Sequence, residues 1–143
     1  MEYDLHNSVL QVVATKTTLF AGDATVDGEG IDTNTDGGFE SVEFIVQSGV
    51  LTAGTFTSVL EDSDTGAFGG EETLVDSALV LGTLPVFVFA TGEDDVTKRV
   101  GTITKKQFVR LNIVGSGTAG GTIGAVAVLS NARTRPAPAV VTP

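Results

Sequence analysis

The residues most capable of chemistry in this 143-residue chain are carboxylates set in glycine-rich turns. Asp32-Thr33-Asn34-Thr35-Asp36-Gly37, with Glu43 following, satisfies the loop pattern of a calcium-binding EF-hand. Carboxylates on alternate residues ahead of a glycine turn can wrap a hard cation. An EF-hand also needs a helix on each side. Here Val26 to Gly30 is a glycine-rich turn, and Glu43 falls inside an alternating apolar run. A polar β-turn explains the same residues, because Asn, Asp and Gly favour turns for purely local reasons. No metal ligand is assigned, and calcium at the Asp32–Asp36 turn stays an open question. Asp62-Ser63-Asp64-Thr65-Gly66 is a second acidic turn with a weaker pattern.

Gly115-Ser116-Gly117-Thr118-Ala119-Gly120 matches G-x-G-x-x-G and follows a strand-like run. A dinucleotide fold requires a helix next, and then a second strand ending in an acid. The following residues are β-branched and glycine-rich with no acid among them, so the segment is expected to be a hairpin loop. Covalent catalysis has little to draw on. His6 is the only histidine, cysteine is absent, and no GxSxG elbow occurs. Paired carboxylates could hydrolyse sugars, but there is no Trp to stack on a sugar ring. The inventory points away from an enzyme and calls for no cofactor.

The elements that position these residues read as strands. Val42, Phe44 and Val46 alternate with polar neighbours, as do Val109, Leu111 and Ile113. Val86 to Ala90 and Ile123 to Leu129 are nearly continuous apolar runs, expected to be covered on both faces. Weaker strands are expected near Val9–Ala14, Thr17–Val26, Thr55–Glu61, Thr73–Leu81 and Lys98–Ile103. Eighteen glycines punctuate them, and no stretch of a dozen residues carries a helical apolar stripe. Eight or nine short strands predict an all-β, two-sheet antiparallel sandwich of jelly-roll type, a single domain over 1–130. Residues 131–143 hold three of the four prolines and predict an extended C-terminal arm.

All 18 acids lie between Glu2 and Asp95 with one base, Lys16, whereas Val96 onward carries seven bases and no acid. The two parts hold −17 and +7, which together give the net −10. Either a basic face meets a partner, or strands from the two parts alternate and their charges pair across the sheet. All-β folds interleave distant strands, which favours the second arrangement. Net acidity and a basic run with few aromatics disfavour nucleic acid. The longest apolar stretch is too short and too broken to span a bilayer, and Met1-Glu2-Tyr3-Asp4 does not read as a secretory signal. A soluble protein with no membrane partner is expected.

Several segments, taken in order, resemble small virion proteins of tailed bacteriophages. They are Gly30-Ile31-Asp32, Gly38-Phe39-Glu40-Ser41-Val42-Glu43-Phe44, Gly54-Thr55-Phe56 and Glu61-Asp62-Ser63-Asp64. Lys98-Arg99-Val100-Gly101, Lys105-Lys106-Gln107-Phe108-Val109-Arg110 and Gly124 to Leu129 continue the series, before a short proline-containing tail. Some such proteins are capsid cement or decoration proteins with jelly-roll-like folds. Residues Thr33 to Gly37 depart from the pattern as a loop insertion. The resemblance implies a non-enzymatic protein of the virion, made in the host cytoplasm, that binds the outer capsid surface and stabilises the head. The partners it implies are the phage major capsid protein and further copies of itself, as a dimer or trimer. Capsid or inter-subunit contact is expected from Lys98, Lys105, Lys106, Arg133, Arg135 and Pro136. A neck or tail component and a surface-glycan-binding module are the alternatives.

Overall fold

Alternating burial, broken at bulges, marks the long strands of the computed structural model, which describes residues 9–81 and 86–133. The strands are β1 (Leu10–Ala21), β2 (Ala24–Val26), β3 (Ile31–Asp32), β4 (Phe39–Ser63), β5 (Thr73–Leu74), β6 (Val80–Leu81), β7 (Val86–Ala90), β8 (Thr97–Ile103) and β9 (Phe108–Ala132). Short 3-10 turns occupy Thr35–Gly37 and Ser77–Leu79. All pairing is antiparallel, and the nine strands belong to one hydrogen-bonded sheet.

The two layers of the expected sandwich are joined into that one sheet by strands that pass from layer to layer. β4 and β9, 25 residues each, pair from Phe39↔Ala132 to Ser63↔Phe108 as one long ribbon. The ribbon bends where its register shifts, between Ser48 and Thr55. Bulges re-aim a strand while keeping most of its ladder, and they let a strand pass from one layer to another. The bend needs glycine at Gly54, whose φ is +75°. A β-carbon there would press on the Ser116 carbonyl and sit 2.8 Å from Ala119 Cα. Across the ribbon Gly117 has φ +74°, and Thr118 shares the left-handed conformation at +59°. The Gly115–Gly120 segment is thus the bent corner of one unbroken strand, not a hairpin loop.

Either side of the corner, each half of the ribbon gathers its own flanking strands. The first layer runs β1, the C-terminal half of β9, the N-terminal half of β4, β8 and β6. The second runs β2 and β3, the N-terminal half of β9, the C-terminal half of β4, then β7 with β5. With each bent strand counted as two, this is the strand order of a jelly roll. The layers face each other across one core. Phe20 of β1 meets Phe56 of β4 edge-on, with ring centroids 5.1 Å apart. Thr15 Oγ1 of β1 donates to the Leu111 carbonyl of β9 at 2.8 Å. Val42, Phe44, Val46, Val109, Leu111, Ile113 and Leu129 all lie in that core, as their alternation predicts.

The expected strand Thr73–Leu81 is broken into β5, a 3-10 turn capped by Asp76, and β6. The two apolar runs are not covered on both faces. Val88 and Val126 are exposed, because each layer has a neighbour on only one side.

Candidate functional site

The acidic pattern at Asp32–Glu43 does not converge on a point. Asp32 Oδ1 accepts from the Asn34 N–H at 2.9 Å and from Gln107 Nε2 at 3.2 Å. Asp36 sits in the left-handed region at φ 49° within the 3-10 turn. Glu43, on β4, directs its carboxylate at Arg99 of β8, 3.6 Å away. The loop-insertion residues thus form a local turn, and the last position of the pattern belongs to a different face. Among the described residues no group of three or more His, Asp or Glu side chains could hold a metal ion.

Ion pairs decide between the two readings of the charge asymmetry. Arg110 Nη2 lies 2.9 Å from Glu61 and 3.4 Å from Glu72. Lys106 Nζ is 2.8 Å from Asp62, and Lys98 Nζ is 2.8 Å from Glu93. Each pair, like Arg99–Glu43, joins a base beyond Val96 to an acid before it. β4 lies between β8 and β9, so the late bases land opposite the early acids. The charges interleave across strands.

The most developed cluster surrounds Arg110. Its Nε donates to Glu61 Oε2 at 2.9 Å, its guanidinium carbon lies 4.4 Å from the Phe68 ring centroid, and Asn112 Nδ2 donates to the same Glu61 oxygen at 2.8 Å. This network ties the acidic loop 64–72 to the ribbon. Within that loop Thr65 donates to Glu71, and that bond chiefly holds the Glu71 carboxyl below the usual carboxylate range. Glu72 is lowered likewise, first by backbone N–H groups of its own and of Gly70, then by Arg110. Glu93 is lowered chiefly by its hydrogen bond from Lys98 and next by the Ala90 N–H.

The residues expected at a capsid or subunit contact fall into three groups. Lys98 and Lys106 are engaged within the chain. Lys98 Nζ also donates to the Val88 carbonyl at 2.6 Å and lies over the Phe89 ring, while Lys106 Nζ donates to Thr73 Oγ1 at 2.6 Å. Lys105 is exposed and belongs to no ion pair among the described residues. Arg133 is exposed, and its Nη1 donates to Asn34 Oδ1 at 3.1 Å. Arg135, Pro136 and most of the expected arm lie outside the described residues, as does His6.

A further feature comes from strand order alone. Register places Val13, Val126 and Ile45 side by side across β1, β9 and β4 on the outside of the first layer. They are 56, 43 and 36% exposed. Alternation alone shows that these valines and isoleucine oppose the core positions. Only the strand order shows that they form a row.

No protein-family model and no curated protein matches the chain. Among solved structures it is similar to the PBSX exported protein XepA, with a TM-score of 0.62 and 12% identity over 94% of this chain. The chain spans 41% of that protein's length. A Bacillus endospore appendage structure, of disulfide-linked pili, is similar at TM-score 0.48 and 14% identity, covering 86% of this chain and 88% of the other. A chain of the infectious bursal disease virus Gx strain follows at 0.37 and 18%, covering 90% and 33%. At these identities the likeness to XepA is one of fold.

Proposed function

We propose that this protein is a capsid decoration protein of a tailed phage, bound to the outer surface of the assembled head and stabilising it. The observation that carries the reading is the jelly-roll strand order, in a fold similar over 94% of this chain to that of the PBSX exported protein XepA. The phage-like segments of the sequence support it independently: Phe39–Phe44 and Gly124–Leu129 form adjacent stretches of β4 and β9, while Lys98–Gly101 lies in β8 on the other side of β4. A decoration protein acts by binding, and a stiff two-layer body tied together by one continuous ribbon suits a clamp between capsomers. Its partner in this reading is the phage major capsid protein. Contacts repeated over an icosahedral lattice let each one be weak, because multivalency multiplies them. Lys105 and Arg133 are the described bases available for such contacts, with Arg135 and Pro136 following in sequence.

The test is direct. Purified protein added to expanded capsids of its phage is expected to bind at lattice copy number and to raise their resistance to heat or chaotrope, since a ligand of the assembled state stabilises that state by mass action. Shells of unchanged stability, with or without the protein, would overturn the reading. Presence in a single ring per virion would instead make it a neck or tail component.

A further inference from the structure

The outer face of the first layer carries a row of exposed apolar side chains. Its centre is the exposed row Val13, Val126 and Ile45, continued in register by Arg99. Ile103 and Leu81 are exposed toward one end and Leu19 toward the other. Two glycines keep the surface low between them. A β-carbon on Gly124 would lie 3.0 Å from Thr17 Cα, and one on Gly101 would lie 3.2 Å from Leu81 Cβ. The outer face of the second layer mixes the two kinds, with Thr55, Glu61, Arg110 and Asn112 along the ribbon and Val88 and Leu74 exposed on the strands beside it.

Charge says what can cover the apolar face. Glu43 and Arg99 neutralise each other on it, and Lys16 at its edge is paired with Glu29. Asp95 borders the same face with no ion pair among the described residues, so the face keeps only a small negative charge on a protein whose net charge is −10. Two copies that meet through these faces bring little charge together and bury apolar side chains. Four strands about 4.8 Å apart and about 25 Å long present roughly 500 Å² per copy. The roughly 1,000 Å² total stands at the lower limit of a specific interface, which sets the expectation of a weak, concentration-dependent association.

We propose that this face pairs with the same face of a second copy, back to back about a two-fold axis near Val126. In that arrangement Val13 of each copy lies against Ile45 of the other, as an isologous contact requires. Apolar faces drive the pairing while the acidic bodies oppose it, so added salt strengthens it by screening the repulsion.

Sedimentation equilibrium of the full chain across concentration and salt tests this. A monomer–dimer equilibrium that tightens with sodium chloride is expected, weakened at least tenfold by Val126→Lys and unchanged by Val88→Lys on the opposite layer. The sequence has no cysteine, so Val126→Cys provides a second readout even if the lysine variant fails to fold. Under oxidation or a short thiol cross-linker it is expected to give covalent dimers, and Val88→Cys is not. A monomer at every concentration and salt would overturn the proposal. So would dimers that withstand Val126→Lys, or cross-linking through Val88→Cys in place of Val126→Cys.

Discussion

Replacing Arg110 with Met isolates what the strongest ion-pair network contributes. The methionine keeps an apolar stem over Phe68 and removes both charged bonds to Glu61, which retains only Asn112 as a partner. Arg110 and Glu61 side chains are 12 and 22% exposed, so water reaches the abandoned carboxylate only in part. Breaking a fully buried pair by removing one partner costs about 3–5 kcal/mol. Partial exposure here reduces that to about 2–3 kcal/mol. A domain of this size loses about 4 °C in Tm per kcal/mol, so a fall of about 10 °C is expected in a thermal melt followed by circular dichroism. The same reasoning makes E61M/R110M milder than the sum of its single variants, since no charge is left behind. Two results would refute it: an R110M variant melting within about 1 °C of the parent, or a double variant whose loss equals the sum of the two singles.

Gly54→Ala is expected to destabilise by at least about 3 kcal/mol in urea unfolding, because positive φ and collision with Ser116 and Ala119 coincide at the corner. Gly117→Ala, whose β-carbon would meet only Gly54 Cα at 3.6 Å, is expected to cost less. Glu93 has its folded-state pKa lowered, so its contribution to stability is present above its ordinary value of 4.5 and lost as pH falls through the folded value. E93Q is expected to lower the melting temperature near pH 7 and to flatten the acid limb below pH 4.5 relative to the parent. Lys105→Glu is expected to leave the melt unchanged and slow association with capsids in stopped-flow mixing. Lys106→Glu, which sets a second carboxylate against the nearly buried Asp62, is expected to lower the melt itself.

The all-β class and much of the core were legible in the sequence because burial in a strand alternates with period two. Val42, Phe44 and Val46, or Val109, Leu111 and Ile113, identify their inner face without knowledge of any partner strand. At the corners glycine is ambiguous. Gly54 and Gly117 look like punctuation, yet here their left-handed backbone lets a strand turn without ending, so two pairs of short predicted strands became β4 and β9. Composition likewise showed that acids precede residue 96 and bases follow it. Whether those charges would part into two faces or pair off depended on strand order, which no local pattern encodes. Tertiary structure placed β4 between β8 and β9, and that adjacency brought Arg110 to Glu61 across 49 residues of sequence. Likewise β9 between β1 and β4 aligned Val13, Val126 and Ile45, because lateral register is fixed by hydrogen bonds between distant strands and not by the alternation within any one of them.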